Sequence, residues 1–165
     1  MRSFSLPALG LARTRSEEMM TRIARALVDA ELQDAVELDA PAAVRFLDSL
    51  EDLLERVPYA AVRLVQRLAR HSSPAVRRSV AGATRAMAQS WPLEAETLLA
   101  ELAADPVSPV RSAASRALGS IVATSSDPLE IVDRWLGGSP EQRDAMERAR
   151  RRIPAPVGTA PSRQH

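Results

Sequence analysis

The chain has 165 residues, 45% of them apolar but only 3% aromatic, enough for one domain whose core must be built mainly from Ala, Leu and Val. It contains no cysteine, which excludes disulfides, thiolate metal sites and cysteine nucleophiles and fits a reducing, cytoplasmic setting. A net charge of +1 gives the whole molecule no field favouring nucleic acid or an anionic membrane, and no apolar run approaches the roughly 18 residues of a membrane span.

All 22 basic residues are arginine, which together with the abundant Ala and Pro fits the codon bias of a GC-rich bacterial genome. Residues 1–16 carry Arg2, Arg13 and Arg15 without an acid, around an apolar stretch broken by Pro7 and Gly10. That stretch is too interrupted for a secretory signal and is read as a flexible arm. From Glu17 to about Glu37, Met20, Ile23, Leu27 and Ala30 fall on one side of an expected helix.

A repeat begins after that helix. Proline followed within three residues by Val-Arg occurs at Pro41–Arg45, Pro74–Arg77 and Pro109–Arg111, and a Gln-Arg version at Pro140–Arg143, so the arginines recur every 32–34 residues. Each copy opens a helix, because proline is tolerated in the first turn. The stripes Val76, Val80, Ala83, Met87 and Val110, Ala114, Ala117, Ile121 follow one helical spacing, as do Gln142, Met146, Ala149, Ile153. The polar start of the last suits a terminal capping helix facing water. The first copy departs from the rule, and its buried stripe is expected at Leu47, Leu50, Leu54 and Val57. Partner helices are expected over 59–70 (Ala61, Val65, Leu68), 93–104 (Leu98, Leu99, Leu102) and 128–136 (Leu129, Val132, Leu136, with Trp135 in the core). Trp91 lies between helices, either plugging the seam between repeats or exposed as a binding hot spot. Residues 154–165, rich in Pro, Gly, Ala and Ser, are read as a disordered tail.

The stretch Asp105-Pro106-Val107-Ser108-Pro109-Val110-Arg111-Ser112-Ala113-Ala114-Ser115-Arg116-Ala117-Leu118-Gly119 resembles the second-helix signature of HEAT repeats: Asp-Pro, Val-Arg, paired Ala, then Ala-Leu-Gly. The copy from Pro74 to Ala88 is similar, with His71 where Asp105 aligns and Arg85 in place of Gly119. The resemblance spans residues 41–153. It implies a short right-handed α-solenoid of about four antiparallel hairpins, an all-α fold over 17–153. It also implies that the Val-Arg arginine pairs with acids of neighbouring turns, that second helices line a concave face, and that the chain is an adaptor or scaffold.

Little in the sequence points to catalysis. His71 and His165 have no second ligand nearby, the six glycines form no phosphate loop, and no nucleophile–base pair stands out, so no enzyme activity, metal or cofactor is expected. Charge patterning says more. Residues 16–58 are acid-rich, whereas 59–92 carry Arg63, Arg67, Arg70, Arg77, Arg78 and Arg85 with no acid. Folded as a hairpin at Pro58, the chain sets Asp48 and Asp52 against Arg67 and Arg63. Arg78 and Arg85 lie opposite the buried stripe of their helix, with Arg116 and Arg148 on a similar side of the next two. These four are the expected binding surface, for an acidic protein partner or, as the alternative, for nucleic acid.

Overall fold

Proline position explains most of the helix starts. The computed structural model describes residues 38–152, so the arm at 1–16, the helix expected over 17–37, Ile153 and the tail at 154–165 lie outside the described residues. Within them run eight α-helices and no strand: α1 Ala40–Asp48, α2 Leu50–Arg56, α3 Pro58–Leu68, α4 Pro74–Met87, α5 Pro92–Ala103, α6 Ser108–Thr124, α7 Pro128–Leu136 and α8 Pro140–Arg150. Every one except α2 has a proline in its first two positions, where the missing N–H has no helical acceptor to lose. Side-chain caps add to this at Asp39, Asp127 and Ser139, whose oxygens accept from Ala42, Glu130 and Gln142 N–H.

The helix expected from Pro41 is interrupted at Ser49. Its N–H bonds back to the Phe46 carbonyl, a tightened turn that separates α1 from α2. This break accounts for the divergent first copy. The buried residues there are Ala43, Phe46, Leu47, Leu50 and Leu53, while Leu54 and Val57 are only half-buried.

Helices pack on partners distant in sequence. α1, α4, α6 and α8 contact one another in series, forming one layer, and α5 and α7 pack against the neighbouring members of it. The stripes of α4 and α6 are buried as their spacing requires, with Ala83 partly exposed. α6 and α8 approach closely: a Cβ added to Gly119 would lie 3.6 Å from that of Ala149, and Ala113, Ala114 and Ala117 of α6 and Ala145 of α8 are buried. The backbones of α3, α5 and α7 stay further apart. Ion pairs bridge them, Arg70–Glu101 at 2.8 Å, beside the end of α3, and Arg134–Glu96 at 2.8 Å between α7 and α5.

One expectation is corrected. Along α7 it is Ile131 and Trp135 that are buried, Val132 and Leu136 are half-buried, and Leu129 is 72% exposed. The helix is rotated so that its largest ring goes inside, where the most area leaves water. Gln142, half-exposed at the start of the last stripe, has a structural role as well. Its side chain accepts from the Ser139 N–H at 2.7 Å and closes a capping box, and a Cβ on Gly138 would collide with it.

Turn chemistry repeats with the helices. Asp105 Oδ1 accepts from the Val107 N–H at 2.8 Å, and His71 Nδ1 does the same for Ser73 at 2.9 Å. The imidazole therefore does the aspartate's work. With Nδ1 accepting, Nε2 carries the proton and donates to the Leu38 carbonyl at 3.1 Å, so the ring ties the entry to α1 onto the α3–α4 turn. The Val-Arg arginine then grips its own turn from behind. Arg77 donates to the carbonyls of His71 and Ser72, Arg111 to those of Asp105 and Pro106, and Arg143 to that of Gly138. Arg77 also holds Asp105 in the next turn through two bonds, the shorter 2.6 Å, with both side chains largely buried.

Burial alone would push the Asp105 carboxyl up, but Arg77, the Val107 amide and Arg111 outweigh it and hold it below the ordinary carboxylate value. A folded pKa below the unfolded one stabilises fully above about pH 4 and is lost as pH falls through the folded value. Asp105→Asn is expected to cost on the order of 3 kcal/mol at neutral pH. In urea unfolding, the gap between wild type and variant should close as the medium is acidified below the folded-state pKa. The rotation of α7 gives a second test: Trp135→Ala should lose about 3–5 kcal/mol, and Leu129→Ala no more than about 0.5 kcal/mol, in the same assay.

Candidate functional site

The layer formed by α1, α4, α6 and α8 carries an open cavity of about 590 Å³ on its surface. Arg78 and Arg85 of α4 and Arg116 of α6 line it together, so three of the four arginines singled out by helical spacing come to one place. The fourth does not. Arg148 is half-buried, with Nη2 2.8 Å from Asp144 one turn earlier, and is not a lining residue. Arg152, just past the end of α8, takes that position, donating to the Ser112 carbonyl at 3.4 Å. The sequence pattern does not single it out, because helical spacing assigns the groove-facing position of that helix to Arg148.

The local fold explains the arrangement. Adjacent helical residues point about 100° apart, so Arg77 reaches into the turn while Arg78 faces outward. Arg85 lies two turns further along the same face, and its Nε is 3.3 Å from the Gly82 carbonyl. The floor between the arginines is small: Gly82, Ala113, Ala117, Gly119 and Ala149. No carboxylate is among the lining residues, and among the described residues neither the Arg78 nor the Arg116 side chain has an ion-pair partner. Cations gathered over small apolar residues with no carboxylate in the lining make a positively charged surface that can attract anions.

A second cavity, of about 960 Å³, adjoins the first and shares Gly82 and Arg85 with it. Its other wall comes from α1 and α2, with Asp48, Glu51 and Glu55 alongside Leu47, Leu50 and Leu54, and Trp91 borders it. Trp91 is thus neither a sealed plug nor a fully exposed anchor. It is half-buried, its ring edge-on to Tyr59 at 5.3 Å between centroids. Asp48, Asp52, Arg63 and Arg67 are all exposed, and Arg63 and Arg67 each have interaction partners. Among the described residues no group of His, Cys, Asp and Glu could hold a metal ion, and no helix is long and apolar enough to cross a membrane. Compared with protein-family models, curated proteins and solved structures, the chain matches none of them.

Gly82 sits at the junction of the two cavities, with nothing within 4 Å of where a Cβ would be. Glycine inside a helix weakens it relative to alanine, and here no close approach requires it. Gly82→Ala is expected to raise stability by about 0.5–1 kcal/mol in thermal unfolding.

Proposed function

We propose that this chain is a short HEAT-like helical-repeat scaffold whose second helices form a concave face that binds an acidic segment of a partner protein. The recurring proline–valine–arginine units, the repeated turn chemistry and the stacking of α1, α4, α6 and α8 support the architecture. One observation carries the function: Arg78, Arg85, Arg116 and Arg152 surround a single cavity into which no acid of the described residues projects.

Magnitudes define the ligand. An exposed arginine–carboxylate contact is worth about 0–1 kcal/mol, so one carboxylate would not be held. Four engaged together reach about 4 kcal/mol, the strength of a millimolar complex. A useful affinity therefore needs clustered acids and apolar contact from the same ligand, which a folded or extended protein segment supplies. The nucleic-acid alternative is disfavoured because a continuous phosphate backbone would also face Asp48, Glu51 and Glu55 with like charge, whereas a protein segment can confine its acids to the arginine cavity.

The test is affinity capture from the native cell extract with wild type and Arg78→Glu/Arg116→Glu, beside titration with single-stranded and duplex oligonucleotides at two salt concentrations. Proteins retained by wild type should be lost from the variant, and oligonucleotide binding should be weak. An unchanged set of captured proteins would remove these arginines from the account, whereas tight, steeply salt-dependent oligonucleotide binding would favour the nucleic-acid reading.

A further inference from the structure

The two cavities share Gly82 and Arg85, so they form one trough with opposite charge at its two ends. Toward α6 and α8 the lining charges are Arg78, Arg116 and Arg152; toward α1 and α2 they are Asp48, Glu51 and Glu55. Between them the floor drops to a residue without a side chain, and beside it Leu54 and Trp91 offer half-buried apolar surface. A uniformly acidic ligand long enough to fill the trough would lay some of its carboxylates against those three acids. A uniformly basic one would meet the arginines. Neither suits both ends.

We infer that the trough binds a bipolar protein segment, with clustered Asp or Glu over Arg78, Arg116 and Arg152, an apolar residue against Leu54 and Trp91, and clustered Arg or Lys over Asp48, Glu51 and Glu55. This rests on the binding reading above and narrows its partner class. The spacing follows from helix packing. Packed helix axes lie about 8–10 Å apart, and α6 to α4 to α1 is two such steps. An extended chain covers about 3.3–3.6 Å per residue, so the two charge clusters of the ligand are separated by about five or six residues. Gly82 lets the ligand backbone pass the junction close to α4, while Arg85, steered by its bond to the Gly82 carbonyl, marks where the ligand's sign changes.

The experiment is a selection of random display peptides on the full chain, followed by fluorescence-anisotropy titration of the enriched sequences and of an all-acidic control peptide. Enriched peptides should carry an acidic and a basic cluster at the stated separation. Neutralising the acidic wall with Asp48→Asn/Glu51→Gln/Glu55→Gln should weaken them about tenfold, as expected for the loss of three exposed pairs, and strengthen binding of the all-acidic peptide, which then meets no like charge. Arg78→Glu/Arg116→Glu should abolish binding of both. Circular dichroism checks that each variant is folded, and all the replaced side chains are exposed. Enrichment of acidic peptides lacking a basic cluster, or unchanged affinity after neutralising the acidic wall, overturns the bipolar inference and leaves the arginine cavity standing. Failure to enrich any peptide that depends on the arginines overturns both.

Discussion

The bond between Arg77 and Asp105 fixes how one helical unit sits on the next. Its guanidinium holds two carbonyls of its own turn and the carboxylate of the following one, with both side chains mostly out of solvent. Directional bonds of this kind set register in a way that apolar packing between alanine-rich helices does not. A slide along α4 or α6 would leave buried charge unpaired, and that is far more costly than a shifted methyl contact. The alignment of α4 with α6, and so the meeting of Arg78, Arg85 and Arg116 at one cavity, follows from that constraint.

Identical side chains consequently do unlike work. Arg77, Arg111 and Arg143 are structural and face their turns, while Arg78 and Arg116 face solvent from neighbouring helices. Arg134 and Arg70 belong to neither group and tie helices of the other layer to carboxylates. Net charge conceals this division. A chain near neutrality still presents a cationic patch and an anionic patch, because helical angle decides which charges are spent internally.

Much of this is legible in the residues, and what escapes does so for definable reasons. Prolines and the Val-Arg spacing locate the starts of α4, α6, α7 and α8, and the stripes of α4 and α6 identify their buried faces. The interruption at Ser49 is not announced by Pro or Gly; it is a backbone turn between two runs that both read as helix. α7 carries Leu129, Ile131, Val132, Trp135 and Leu136 in nine residues, so two faces compete and only packing against α6 and α8 decides between them. Within the candidate site, helical spacing brings out Arg78, Arg85 and Arg116. It fails at the end of α8, where the last turn displaces Arg148 from the cavity and Arg152 replaces it. In the sequence the acids of α1 and α2 are turned toward Arg63 and Arg67, and only the topology shows that Asp48, Glu51 and Glu55 also wall a cavity beside α4.

The two layers are joined by different forces. Direct contact of small apolar side chains holds α4, α6 and α8, whereas solvated ion pairs link α3, α5 and α7. Mobile ions screen the second kind and leave the first untouched. Added salt therefore weakens the links among α3, α5 and α7 while the apolar contacts of the other layer persist. Ionic strength thus acts unequally on the two sides of the helical array.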